Sequence, residues 1–181
     1  MATTSNSEHT IPIKTGHEKY IEISKTWSGP ALLIMRVLLG WHFFFAGITK
    51  VMNPGWSAKG YLLNAVGKAN PFTGFFHAMA NSAWMPLVDV LNMWGLTLVG
   101  IALIIGFAVR WSAFWGAVMM WFYWASSLPL AHSIFVDDHW VYVALLFALG
   151  AFGAGRYYGI DKYIEDLAIV QNNAWLKYLL G

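Results

Sequence analysis

Polar side chains gather where the apolar stretches of this sequence begin or end. Asp89 and Asn92 are one helical turn apart near the start of the second stretch, and Lys50 closes the first. A carboxylate a few residues inside an apolar helix needs a partner, and Lys50 at the same depth is its predicted partner. The other members of the group are His77, His132, Asp137, Asp138, His139 and Tyr142. These side chains predict a functional site at the outer end of the apolar segments.

Ordinary polarity at loop ends is the alternative explanation. It accounts for Asp137 and Asp138 but explains Asp89, Asn92 and His132 less well. Two deep histidines on facing helices would indicate haem b. Only His42 is deep, and a packing role also explains it, so no haem is expected.

Metal and sulfur chemistry receive weaker support. The histidines at 77, 132 and 139 could join Asp89 around a metal ion, but their spacing matches no known ligand pattern, so no metal is assigned. The chain has no cysteine. It therefore offers no ligands for an iron–sulfur cluster and no dithiol that could relay electrons.

A lipid-soluble quinone suits this group of residues better. Its carbonyls need hydrogen-bond donors, its reduction needs a proton source, and its ring needs apolar walls. The 11 tryptophans could supply the walls, although an interfacial aromatic belt also explains them. The predicted catalytic residues are Asp89, His132, His139 and Lys50, and the predicted cofactor-binding residues are His42, Asn92, Tyr142 and Arg36.

The composition assigns the chain to a membrane. Hydrophobic residues make up 58% of its 181 residues and charged residues 11%, with a mean hydropathy of +0.52. Soluble domains carry about 25% charged residues, so these charges could not cover a water-facing surface. The net charge of +2, without any basic tract, argues against a nucleic-acid partner.

Four apolar stretches predict an all-α integral membrane protein built as a four-helix bundle. Crossing a bilayer takes about 20 helical residues. The predicted boundaries are a cytoplasmic tail at 1–29, a transmembrane domain at 30–156 with spans at about 30–51, 86–108, 111–131 and 139–155, and a cytoplasmic segment at 157–181. Within the tail, EKYIEISKTW predicts a separate surface helix that ends before Pro30.

The connections between the spans are of two kinds. The long segment between spans one and two carries two apolar patterns separated by Pro71, which predict two short interfacial helices. The link between spans two and three, FAVRW, is so short that these spans must be antiparallel neighbours. Six basic residues near span ends on one side against three on the other predict that both termini are cytoplasmic.

One stripe of the first span carries charge and glycine together. Arg36, Gly40, Phe43, Gly47 and Lys50 step by four and three residues, which places them on one helix face. Two glycines allow a close helix approach, so this face is predicted to contact protein and to bury Arg36 against a partner. Arg36 and Lys50 would lie about 21 Å apart along the axis.

Two motifs resemble the DoxX/DoxD family of membrane proteins, over about residues 27–165. The first is RVLLGWHFFFAGITKVMNPGW, and the second is HSIFVDDHWVYVALLFALGAFGAGRYYGIDKY, which is similar to the final helix of archaeal-type members. The matching positions are Arg36, Gly40, Gly47, Lys50, Asp138, His139, Gly155 and Arg156. The family carries no firm catalytic assignment onto them.

The resemblance implies a four-helix membrane bundle and two possible functions. The DoxD branch is associated with thiosulfate:quinone oxidoreductase, which converts thiosulfate to tetrathionate and works with a smaller redox subunit. Other members are accessory subunits of larger membrane redox complexes. The first reading implies a small anionic substrate, and both imply partner subunits within the lipid bilayer. Lipid-facing small residues on span four would favour the accessory role, whereas a buried polar pocket around Asp89 would favour the enzyme.

Overall fold

The computed structural model describes residues 16–64, 66–67, 69–131 and 133–181. Over these residues it is helical, with turns and no strand. Predictions that concern residues 1–15, Lys68 and His132 lie outside the described residues.

Four helices form the bundle: α1 (Gly16–Val51), α4 (Met85–Ile105), α5 (Val109–Ser127) and α6 (Asp138–Ala151). α1 packs on α4, α4 on α5, α5 on α6, and α6 on α1. Two of them contain segments long and apolar enough to cross a membrane, Trp27–Val51 and Met85–Ile105, and α6 is a shorter apolar helix. The predicted all-α membrane bundle is therefore confirmed.

Two helix boundaries differ from the sequence prediction. α1 continues through Pro30 as one 36-residue helix, so the separate surface helix before Pro30 was wrong. A proline removes only one hydrogen bond of the ladder, and the preceding turn remains helical, with Gly29 packed against the ring of Tyr157. α6 ends at Ala151 because Gly153 adopts a left-handed conformation (φ 64°), and a 3₁₀ turn, Ala154–Arg156, follows.

Two short helices, α2 (Lys59–Asn64) and α3 (Thr73–Ala80), connect α1 to α4 as predicted. Leu62 and Phe76 from this connection pack with Met85 and Trp124 in a second apolar core. Asn70 fixes the connection to α5, because its buried side-chain amide donates to the carbonyls of residues 125 and 126 at 2.8 and 3.2 Å. The chain ends in three short helices, α7 (Asp161–Ile164), α8 (Ala168–Asn172) and α9 (Ala174–Lys177).

The glycine stripe of α1 faces α4, as predicted. A Cβ atom added at Gly40 would lie 2.9 Å from the backbone nitrogen of Ile104, and one at Gly47 would collide with the backbone of Thr97. Phe43, between the two glycines, has no exposed surface. The close approach fixes the register of the two helices, and hence the relative positions of the side chains at their ends.

Candidate functional site

The bundle has polar side chains at both ends, and the two sets are built differently. The Lys50 end is defined by Lys50 of α1, Asn92 of α4, Tyr123 of α5 and His139 of α6. The Arg36 end is defined by Arg36 of α1, the turn between α4 and α5, and Asp161 of α7. The segment after α6 returns to the Arg36 end, where Tyr157 lies against Gly29.

At the Lys50 end, the hydroxyl of Tyr123 joins side chains of three helices. It donates to Oδ1 of Asn92 at 2.9 Å and receives a hydrogen bond from Nζ of Lys50 at 3.4 Å. All three residues are half-buried. The position between an ammonium and an amide oxygen makes Tyr123 the centre of a polar network, and such networks can transfer or orient protons.

Aromatic rings, and not a carboxylate, surround the charge of Lys50. Its Nζ lies 5.3 Å from the ring centroid of Trp56 and 5.5 Å from that of Tyr123, which is the geometry of cation–π contacts. Asp89 instead accepts a hydrogen bond from the backbone N–H of Ala58 at 2.9 Å. The predicted Lys50–Asp89 pair was therefore wrong, because the chain after α1 folds back and supplies Asp89 with a backbone donor.

His139 is held in place by the residue that caps its helix. Asp137 accepts from the backbone N–H of His139 at 3.1 Å and lies 2.7 Å from its ring Nδ1. Asp138 is 3.6 Å from the same nitrogen and mostly exposed. A neutral His139 donates through Nδ1 to Asp137, which leaves Nε2 as the nitrogen that can accept or release a proton. The His139 ring lies 6.1 Å from the Tyr123 ring, edge-on.

The other predicted residues do not form hydrogen bonds with Lys50, Asn92 or Tyr123 in the part of the chain that the structure describes. The rings of His42 and Tyr142 contact each other at 4.9 Å, one helical turn or more below His139 and Lys50. Asp137, Asp138 and His139 bring ligand atoms within 4.8 Å of one another, but Asp137 already serves as the helix cap and the partner of His139. His132 lies outside the described residues.

An apolar groove runs between α5 and α6 and reaches the Lys50 end at His139. Its volume is about 230 Å³, it is partly open at one side, and no polar atom contributes to its surface. We call it the α5–α6 groove; it is lined by Phe114, Ala117, Val118, Met120, Trp121, Trp124, His139, Trp140 and Val143. The groove therefore extends from His139, at the Lys50 end, along the apolar surface between α5 and α6.

At the Arg36 end, the guanidinium is fully buried, as predicted. It donates through Nη1 to the carbonyl of Ala154 and through Nη2 to the carbonyl of Tyr158 at 3.3 Å. Its Nε has no partner among the described residues. Glycines make room for it: a Cβ at Gly106 would lie 2.6 Å from Nη1, and one at Gly159 would lie 2.7 Å away. The structure thus separates Arg36 from the predicted cofactor-binding group.

Asp161 completes the Arg36 end and has no exposed surface. Its carboxylate accepts from the backbone N–H groups of Ala108, Val109 and Gly181 at 2.6, 3.0 and 2.9 Å, which caps the start of α5. Burial raises the pKa of the Asp161 carboxyl above its usual range, and the three N–H donors offset this only in part. Its charge also attracts that of Arg36.

The sequence did not predict roles for Tyr123, Trp56 and Asp161. Tyr123 lies within WFYWASS, where it reads as one more aromatic residue of a lipid-facing helix. The only available signal was its place about two turns before the end of the predicted third span, at the same depth as Asn92. Asp161 lies in YYGIDKY, at the end of the second quoted motif. It is more than 50 residues away from the α4–α5 turn in sequence, so no local pattern indicated that the two are in contact.

Comparison with known proteins identifies one family. Residues 31–129 match the model of the DoxX family, which covers more than half of the chain. The match includes Arg36, Lys50, Asn92 and Tyr123, and it ends before His139. No curated protein and no solved structure matches the chain.

Proposed function

This chain belongs to the DoxX family, and on that basis we propose that it is the membrane subunit of a quinone-linked oxidoreductase. The observation that carries the proposal is the Lys50–Tyr123–Asn92 network, to which three helices contribute, with His139 of the fourth helix beside it. Placing a charged group such as an ammonium inside a membrane protein costs free energy. An ammonium and an imidazole held among aromatic rings therefore support a functional role.

The residues at the Lys50 end fit the chemistry of a quinone. Reduction adds two electrons and two protons, and each carbonyl oxygen becomes a hydroxyl. Lys50 can donate a hydrogen bond to an oxygen whose negative charge increases, and Tyr123 can do so when its hydroxyl turns away from Asn92; donors of this kind favour reduction. His139, held by Asp137 through Nδ1, can take up a proton from solvent at Nε2 and then pass that proton to the quinone oxygen.

The chain has no cysteine, so its own sulfur offers no redox group that could pass electrons to the quinone. We propose that a partner subunit supplies them and that thiosulfate is the donor: two thiosulfate ions join through a new S–S bond, give tetrathionate and release two electrons. With both chain ends in the cytoplasm, the Lys50 end faces the outer side. Lys50 and Lys59 provide positive charge there for a small anion.

The alternative is a non-catalytic accessory subunit that holds a larger redox complex together. It would be favoured by a smooth small-residue face on α6. Within α6, Ala148 and Gly150 are half-buried, and the exposed positions Ala144 and Ala151 lie on either side of Phe147, which is 76% exposed. The two exposed alanines are small lipid-facing residues of the kind that the accessory role requires, whereas the polar network at the Lys50 end supports the quinone-linked function.

The test is quinone reduction by the chain purified together with its natural partners. Thiosulfate and a soluble quinone are added, and quinone absorbance is followed. Tyr123→Phe and His139→Ala should each lower the rate by about a hundredfold or more, as expected for the loss of a proton-transferring group. Tyr163→Phe is the matched control, because Tyr163 is 71% exposed and lies outside the network.

Two results would contradict the proposal. A folded complex that reduces no quinone, with thiosulfate or with a chemical reductant, would favour the accessory role. Full activity in Tyr123→Phe would place quinone chemistry elsewhere in the complex.

A further inference from the structure

The surface of the α5–α6 groove is apolar, which suits a hydrocarbon group. Its surface contains no polar atom, although His139 and the tryptophans that line it carry polar nitrogens. A quinone ring needs donors for its two carbonyls, and this surface offers none. A saturated or prenyl hydrocarbon chain needs no donors, so the groove suits a hydrocarbon tail.

The size of the groove limits how much of a tail it can hold. An engineered apolar cavity of about 150 Å³ binds one benzene molecule, which has six carbons. In proportion, the volume of about 230 Å³ holds about nine carbon atoms. This corresponds to nearly two prenyl units of five carbons each.

The groove reaches the polar network at the Lys50 end through one shared residue, His139. His139 lines the groove, and its ring also lies against Tyr123. A ligand with a polar head at Tyr123 and a prenyl tail would therefore pass His139 and enter the groove, with Trp140 and Trp121 as walls. A phospholipid fits less well, because its charged headgroup would have to lie at the half-buried network.

We propose that the α5–α6 groove binds the first two prenyl units of the quinone tail and thereby selects prenylated quinones over tailless ones. This inference rests on the proposed function, since it assumes that the quinone ring lies at the Lys50 end. The tail fixes the ring beside His139 and Tyr123, and the remainder of a longer tail extends into the bilayer.

The test measures quinone binding to the complex with its natural partners in lipid nanodiscs, by quenching of tryptophan fluorescence. Quinones with zero, one, two and three prenyl units are compared, with each concentration expressed as a mole fraction in the bilayer. This scale removes differences in partition into lipid. Affinity should rise about tenfold (about 1.4 kcal/mol) from zero to two units and then stay constant.

A matched pair of variants locates the effect. Val118→Phe fills the groove, whereas Val141→Phe makes the same change on the exposed face of α6, where Val141 is 52% exposed. The groove variant should lose the tenfold preference and still bind the tailless quinone, and the control should keep both properties. Trp121→Ala removes a wall of the groove and should weaken the preference in the same direction without adding bulk.

Three results would overturn the inference. Equal binding of all four quinones to the wild-type protein would show that no tail site exists. Equal losses in the two valine variants would attribute the preference to the bilayer, and a phospholipid released by Val118→Phe, with quinone binding unchanged, would identify a lipid chain as the occupant. If none of the four quinones binds, the proposed quinone function fails as well, which distinguishes that case from the others.

Discussion

At the Arg36 end, the cation is fully buried and donates to backbone carbonyls, while at the Lys50 end it is half-buried and meets side chains of other helices. The carbonyls that bind Arg36 belong to the backbone, so they keep their contact with Arg36 as long as the protein is folded. The partners of Lys50 are a tyrosine hydroxyl and two aromatic rings, which a ligand can displace or share. The difference indicates that the Arg36 end stabilises the fold, and the Lys50 end is where we propose the functional site.

Arg36→Leu should give the largest effect on stability. It leaves the carbonyls of Ala154 and Tyr158 without their donor and removes one of the two positive charges that interact with Asp161, the other being that of Arg156, a loss of about 3 kcal/mol or more. Arg36→Lys should lose less, because the charge remains. Lys50→Leu is the matched change at the other end and should cost about 1 kcal/mol or less. Unfolding free energy in detergent measures all three, and equal losses at the two ends would remove the distinction between them.

Asp161→Ala should follow in size. Three backbone N–H groups lose their acceptor in a site without exposed surface, and the expected loss is about 3 kcal/mol. The control is Asp138→Ala at the Lys50 end, where the side chain is 71% exposed and the loss should stay below about 0.5 kcal/mol. Thermal unfolding compares the two variants, and a loss in Asp138→Ala as large as that in Asp161→Ala would mean that both ends are structural.

Double-mutant cycles should separate true from apparent partners at the Lys50 end. Tyr123→Phe with Asn92→Leu should show a coupling of about 1 kcal/mol, because the two side chains share a hydrogen bond. Lys50→Leu with Asp89→Leu should be additive within about 0.5 kcal/mol, because their contacts are separate. Coupling between Lys50 and Asp89 comparable to that of the first pair would contradict the contacts described above.

The smallest effect concerns the pH dependence of stability. Because burial raises the pKa of Asp161, the pH-dependent part of its contribution to stability is fully present below the unfolded value of about 3.9 and is lost as pH rises through the folded pKa. Asp161→Asn should remove this part of the slope of unfolding free energy against pH. An unchanged slope in the variant would assign it to another group.

The features that the sequence predicted correctly are those set by residues close together in the chain, namely helix faces and short connections. The glycine stripe of α1 correctly indicated both the close packing on α4 and the burial of Arg36, because a period of three and four residues defines a helix face regardless of the partner. The short FAVRW link correctly placed α4 beside α5.

The sequence pattern did not predict which side chains contact each other between helices, because it does not give the rotation of each helix about its axis. Lys50 and Asp89 were matched by depth and charge alone, but depth along the membrane does not specify rotation about a helix axis. That rotation turns Lys50 towards Tyr123, and the returning chain brings Ala58 to Asp89. The cap formed by Asp161 joins residues more than 50 positions apart, so no local signal predicted it.

The most direct test of the central claim is quinone-induced stabilisation of the purified protein. Melting is measured with and without a two-prenyl quinone for the wild type, Tyr123→Phe and Arg36→Lys. We expect the quinone to raise the melting temperature of the wild type and of Arg36→Lys, although the latter starts from a lower value. Tyr123→Phe should start near the wild-type value and gain little, because it lacks the hydroxyl of the site. The opposite pattern, with quinone stabilisation kept in Tyr123→Phe and lost in Arg36→Lys, would place the site at the Arg36 end and contradict the account.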